Sequence, residues 1–243
     1  MERTGRLDVI AGGISVGGDG TTAGTLSGIF YDTETGKYVL VSNAHVFEGK
    51  YVLQPGIYDG GKSNDVIGVI TKRSEFKKEP NAFVRFIYYI LAHLGIEVAG
   101  AYNYLDCAAA CISLADETRR IERGVYMDDG RIVRITGKNR GDGVIGKKVW
   151  KVGRTTGYTE GVIVSDSAVV EVWYGDETYL FKDVIIVKGR SEPGDSGSPV
   201  FIMRGNEPSE EDEFVGLLFA GSSNYFIVCK NKYLEDIMGL IPG

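Results

Sequence analysis

Cysteine, histidine and proline are scarce in this 243-residue chain, at 3, 2 and 6 copies. The cysteines Cys107, Cys111 and Cys229 are odd in number, and the first two lie close together in an apolar stretch, which excludes a disulfide framework as the organising device. They read as small buried residues in a reducing compartment. Long hydrophobic runs are also missing. No segment reaches the length of a membrane span, and Met1 to Leu7 is charged, without the apolar core of a signal peptide. A cytoplasmic protein is therefore expected. Positive charge does not dominate either, since 27 Lys and Arg face 33 Asp and Glu for a formal net charge of −6. A basic face tracking nucleic-acid phosphates is not expected. At this length the chain can bury a core of its own without disulfide or metal staples.

Glycine is abundant at 34 residues, about twice the usual share of roughly 7%. Short β-like runs recur at Lys37 to Ser42, Tyr51 to Gln54, Asp65 to Thr71, Arg131 to Thr136, Lys147 to Val152, Gly161 to Trp173, Tyr179 to Val187 and Phe214 to Ala220. Turn signals such as Thr33-Glu34-Thr35-Gly36 separate them, so the pattern predicts an antiparallel all-β protein. Two stretches depart from it. From Pro80 to Leu94, Phe83, Phe86, Ile87, Ile90, Leu91 and Leu94 fall on one helical face, predicting an inserted amphipathic helix that packs on the body of the protein, with a partner or membrane surface as the alternative. From Asn231 to Ile241, with Asn231 as cap and Leu234, Ile237, Met238 and Ile241 facing inward, a C-terminal helix is predicted. The acidic segment Glu207 to Glu213 reads as a solvated hairpin tip, and the basic residues between Arg131 and Arg154 as surface charge.

Chemistry concentrates in Pro193-Gly194-Asp195-Ser196-Gly197-Ser198-Pro199. Glycines on both sides of a serine permit a tight turn that exposes the hydroxyl and points successive N–H groups into one concavity. A serine is a poor nucleophile without a base. Of the two histidines, His45 emerges at a strand end in Ser42-Asn43-Ala44-His45-Val46, whereas His93 lies in the inserted helix and reads as structural. An imidazole base works best with a carboxylate that orients it. Asp106, opening the apolar run Cys107 to Ala110, is the preferred candidate, and Asp65, which also precedes a strand, is the competing one.

The order His45, Asp106, Ser196, with those flanking residues, resembles the chymotrypsin-fold, trypsin-like serine proteases. Thr22-Ala23-Gly24-Thr25-Leu26, Gly153-Arg154-Thr155-Thr156-Gly157 and Val215 to Ser222 are similar to a microbial branch of that family. The resemblance implies two antiparallel β-barrels, with an N-terminal barrel over 1–116 carrying a helical insert at about 76–102, a connection over 117–144, and a C-terminal barrel with terminal helix over 145–243. It implies a serine endopeptidase in which Ser196 attacks, His45 shuttles the proton and Asp106 orients His45. The N–H groups of Gly194 and Ser196 would form the oxyanion hole, and a specificity pocket would lie between Arg190 and Ser191 on one side and Phe219, Ala220 and Gly221 on the other. Arg190 pointing into that pocket would favour an acidic residue before the scissile bond; pairing with Glu192 outside it is the expected arrangement. Val9-Ile10-Ala11-Gly12-Gly13 bears a faint likeness to an activation terminus whose freed amine could pair with Asp195, but assembly without cleavage, or activation by a partner, is expected. No cofactor or metal is implied, and the partner is a polypeptide substrate, with a protein partner at the insert as a further option. The alternatives are a non-catalytic peptide-binding or assembly module on the same scaffold, and an esterase sharing the acyl-transfer machinery.

Overall fold

A computed structural model describes residues 2–20, 23–78, 83, 86–87, 90–91, 101–134 and 136–243. Two curled sheets, antiparallel except at their margins, form the body of the fold. In spatial order the first runs Leu240–Pro242, Gly28–Asp32, Lys37–Ser42, Ala108–Ile112, Val66–Arg73, Tyr51–Leu53, Ser15–Gly18 and Gly24–Thr25. The second runs Gly137–Lys138, Glu213–Gly221, Pro199–Ile202, Lys148–Gly153, Gly157–Tyr174, Glu177–Gly189 and Tyr225–Lys230, and Tyr225–Lys230 pairs back onto Glu213–Gly221 to close a barrel. A small sheet of Val9–Gly12, Arg120–Tyr126 and Ile132–Val133 accompanies them. The expected all-β architecture of two barrels is the one observed.

The alternation of side chains along a strand explains where the core lies. In Lys37–Ser42, Leu40 points into the first barrel with Ile14, Phe47 and Ile67, while Val39 and Val41 point the other way. In Lys148–Gly153, Val149 points into the second barrel, while Trp150 and Val152 join Val39 and Val41 in the apolar layer between the barrels. These strands are buried on both faces, which is why their apolar residues run together instead of alternating with polar ones.

Several expectations need correction. The C-terminal helix is Asn231–Met238, shorter than predicted. Its N-cap is Lys230 and not Asn231, whose Nδ2 instead donates to Glu235 Oε1 at 3.0 Å. Gly239, in the left-handed region at φ 66°, ends it, so Ile241 falls in Leu240–Pro242 and pairs with Tyr31 of the first sheet. Leu234 and Met238 face inward as expected, but Ile237 is exposed. Among the described residues of Arg131 to Thr136, the strand covers Ile132–Val133. In the acidic segment Glu207, Glu210 and Glu211 are exposed, but Asp212 is buried and accepts from Trp150 Nε1 at 2.7 Å, because the indole needs a partner inside the core. Of the basic residues between Arg131 and Arg154, Lys151 is wholly buried, not surface charge. Within the predicted insert, Phe83, Phe86, Ile87, Ile90 and Leu91 are helical, and the first four are exposed, not packed on the body. The other residues of the predicted segment, including His93 and Leu94, lie outside the described residues.

Candidate active site

Strand register brings His45 and Asp106 together. Lys37–Ser42 and Ala108–Ile112 are antiparallel neighbours with Ser42 opposite Ala108, so the residues following the first and preceding the second leave the sheet at the same edge. There His45 Nδ1 lies 2.5 Å from Asp106 Oδ2, while Asp106 Oδ1 accepts the Ala44 N–H at 2.6 Å. Asn43 Nδ2 donates to the Asp106 carbonyl at 2.8 Å. Asp106 is fully buried, whereas the His45 side chain keeps 23% of its surface open. Burial alone would lower the His45 pKa, but the charge and hydrogen bond of Asp106 outweigh it and hold the imidazole above its ordinary value of 6.5. The competing carboxylate, Asp65, is elsewhere, accepting from Arg6 Nε at 2.9 Å and the Lys62 N–H at 2.9 Å.

Ser196 arrives from the second barrel on a loop whose backbone is fixed at both ends. The Asp195 N–H donates to Glu192 O at 3.0 Å, closing a four-residue turn with Pro193 and Gly194 at its centre. Proline second and a glycine at φ 96° third are the signature of a type II turn, and the choice of type II over type I decides which face the central N–H presents. One residue beyond the serine, Gly197 sits at φ 91°, where a Cβ would stand 2.1 Å from Thr25 O and 2.3 Å from Ser42 Oγ; no larger residue fits. Thr25 of the first sheet holds the loop through its N–H to Ser196 O at 2.7 Å and its hydroxyl to Gly194 O at 2.8 Å. A Cβ on neighbouring Gly24 would meet both Val46 and, at 3.0 Å, Ser196 O, so the serine loop and the residue after His45 flank the same glycine.

Beneath the turn Asp195 is buried and paired with Lys151 Nζ at 3.1 Å. Its carboxylate also accepts from the N–H groups of Thr155, Thr156 and Glu192 and from Thr156 Oγ1. Burial lowers the Lys151 pKa, with Asp195 opposing that shift. A lysine of the chain interior thus occupies the place considered for a freed amine, and Val9–Gly12 is instead committed to pairing with Arg120–Tyr126.

The residues considered for the specificity pocket divide. Arg190 is exposed and bound to Glu192 through Nε at 3.0 Å. Ser191 is buried and donates from its N–H and hydroxyl to Ser222 O at 3.2 and 3.1 Å, and a Cβ on Gly221 would stand 2.3 Å from Ser191 Oγ. Phe219 is buried in the core against Phe181, with ring centroids 4.7 Å apart, and Ala220 is half-buried. A cleft of about 600 Å³ opens beside the turn, lined by Tyr58, Arg154, Thr155, Pro193 and Gly194. Among the described residues no group of side chains has the makings of a metal site, and no helix is long and apolar enough to cross a membrane.

Three residues at this site escaped the sequence reading. Lys151 shares the inward face of its strand with Val149, a signal that alternation could have supplied. Thr25 lies in the segment Thr22 to Leu26 that carries part of the resemblance, but its hold on the serine loop runs across barrels, as does the bond from the Tyr174 hydroxyl to Asp106 Oδ2 at 2.6 Å, and no local signature marks either contact.

Residues 103–236, more than half of the chain, match the family model of the Nal1 C-terminal domain. The chain belongs to that family. No curated protein matches its sequence. Among solved structures, protease A of Thermobifida fusca superposes with a TM-score of 0.61 at 17% identity, covering 97% of this chain and 100% of the other. A glutamic acid-specific serine protease gives 0.62 at 17%, covering 96% and 100%, and the alpha-lytic protease homolog N4 gives 0.62 at 15%, covering 97% and 100%. At such identities the likeness shows the fold, and this member of the Nal1 C-terminal domain family has the chymotrypsin-type double barrel of bacterial serine proteases.

Proposed function

We propose that the protein is a serine endopeptidase that cleaves peptide bonds through an acyl-enzyme on Ser196. The observation that carries this reading is the 2.5 Å contact between His45 Nδ1 and buried Asp106, at the edge where the serine loop is tied to the first barrel. His45 takes the Ser196 proton as the hydroxyl attacks the scissile carbonyl and returns it to the leaving amine; Asp106 fixes the imidazole tautomer and stabilises the imidazolium. The N–H groups of Gly194 and Ser196 receive the oxyanion, Gly194 being directed by the Pro193-Gly194 turn. Water then repeats the sequence on the acyl group.

Recognition of the residue before the scissile bond falls to the space between Ser191 and the segment Ala220 to Ser222. Because these walls touch through the Ser191 to Ser222 hydrogen bonds, a small side chain is favoured there. Arg190, exposed and paired with Glu192, gives no preference for an acidic residue. The cleft beside Pro193 and Gly194 accommodates chain on the leaving-group side.

Covalent labelling with a fluorophosphonate tests the reading. Folded wild type should label on Ser196, and Ser196→Ala and heat-denatured protein should not. In a related triad enzyme loss of the serine costs about a millionfold in turnover, so cleavage or labelling that survives Ser196→Ala in clean protein overturns the mechanism. A folded wild type that does not label at all would favour a peptide-binding scaffold.

A further inference from the structure

Asp106 holds more partners than orienting a histidine requires. Its Oδ2 lies within hydrogen-bond distance of both His45 Nδ1, at 2.5 Å, and the Tyr174 hydroxyl, at 2.6 Å. The Tyr174 ring lies 4.9 Å from the His45 ring and stacks at 5.4 Å and 10° on Phe76. This tyrosine does not come from the first barrel. It is the last residue before the turn of the long hairpin Gly157–Tyr174 and Glu177–Gly189, pairing with Glu177 across Gly175 and Asp176. The hairpin is fastened to the segment that leads into Asp106, where Leu180 and Phe181 pair in parallel with Tyr102 and Asn103 and Asn103 Nδ2 donates to Leu180 O at 3.2 Å, and to the chain beyond Val66–Arg73, where Lys78 pairs with Glu177. Tip and carboxylate are therefore held in register by contacts on both sides.

We propose that Tyr174 is a positioning residue for the reaction, its hydroxyl locking the Asp106 carboxylate and drawing off part of its charge, so that His45 is correctly oriented and neutral at a lower pH than Asp106 alone would allow. The inference rests on the reading of His45, Asp106 and Ser196 as a triad. A phenol donating to an ionised acceptor makes one of the stronger classes of hydrogen bond, and two donors on one oxygen compete for its charge. Burial and the Asp106 charge push the Tyr174 pKa well up, so the hydroxyl keeps its proton and remains a donor. Among the described residues the other titratable groups facing this cluster do not duplicate the role: the Tyr179 ring lies 5.9 Å from that of Tyr174, but its hydroxyl donates to Glu177 Oε2. Glu48 acts on His45 only through its charge, and the buried thiols of Cys107 and Cys229 are pushed up and stay neutral, Cys229 Sγ accepting the Asp106 N–H at 3.2 Å.

Tyr174→Phe removes the hydroxyl and keeps the ring on Phe76. With the Asp106 charge returned to the imidazole, the His45 pKa rises, so the acid limb of Ser196 labelling by a fluorophosphonate should move to higher pH by about one unit. Labelling at the plateau should slow by roughly tenfold through the loosened carboxylate. The same upward shift should appear in the imidazole 15N resonances of His45, followed against pH in protein whose second histidine carries His93→Gln. Tyr174→Met, which also loses the ring, should share the pH shift while unfolding at a lower temperature, separating positioning from packing. Wild type that labels on Ser196 alongside Tyr174→Phe and Tyr174→Met variants with unmoved limb and unmoved His45 titration overturns the proposal alone. Wild type that does not label, with a His45 titration that still shifts on losing the hydroxyl, removes the protease reading and leaves the Tyr174 to Asp106 coupling supported.

Discussion

Replacing Lys151 by methionine isolates the charge beneath the serine loop. Lys151 and Asp195 are both without solvent exposure and lie 3.1 Å apart, and methionine keeps most of the side-chain volume while deleting the cation. Removing one member of a buried pair typically costs about 3–5 kcal/mol, because the other charge is left uncompensated. Asp195 retains hydrogen bonds from the N–H groups of Thr155, Thr156 and Glu192 and from the Thr156 hydroxyl, which places the expected loss near the lower end, about 3 kcal/mol. For a chain of this size that corresponds to a fall in Tm of roughly 6–12 °C. Function should suffer beyond stability, since Asp195 also accepts the Glu192 N–H and closes the turn through its own N–H: at a temperature where both proteins are folded, labelling of Ser196 should drop more than about tenfold. The double variant Lys151→Met, Asp195→Asn removes both charges and should recover a large part of the lost stability but not the labelling. Denaturant unfolding with parallel labelling reads both quantities. A Lys151→Met protein that unfolds within about 1 kcal/mol of wild type would refute the assignment of this pair as the support of the turn.

Two further outcomes follow from the same geometry. Because Asp106 raises the His45 pKa above 6.5, labelling should increase with pH to a midpoint above that value; by linkage the charged His45–Asp106 pair adds stability that is complete below 6.5 and disappears as pH rises through the raised folded-state pKa. A midpoint at or below 6.5 would contradict the pairing. Trp150→Phe takes away the 2.7 Å bond to buried Asp212, which also receives the Arg204 and Ser209 N–H groups, and should cost about 2–3 kcal/mol in urea unfolding with Ser196 labelling retained, whereas an unchanged unfolding midpoint would show that Asp212 needs no indole.

The local sequence determined what depends on a few adjacent residues. Short apolar runs around Val39, Val149 and Val215 bounded by turn residues specify strands, and Pro193 with Gly194 specifies a turn type, because both follow from backbone dihedrals that neighbouring side chains restrict. The candidates His45, Asp106 and Ser196 were legible for a related reason: each sits at a strand end or in a glycine-flanked turn, positions that the local pattern of residues marks. What the local pattern could not decide was pairing over distance. Lys151 carries the pattern of a surface charge, yet its strand is covered on both faces and it pairs with buried Asp195. Asp212 looked like one more acid in a solvated tip until the Trp150 indole reached it from another strand. The apolar positions of the insert carry a helical period, but period says nothing of whether a neighbour covers the face, and Phe83 and Phe86 are left open. Tyr174 has no motif at all; it meets Asp106 because a hairpin of the second barrel is long enough to reach back to the first. Dihedral preference is a property of short segments and can be read one residue at a time, whereas the partner of a buried charge or hydroxyl is set by how separate strands close around it, and that only the tertiary structure decided.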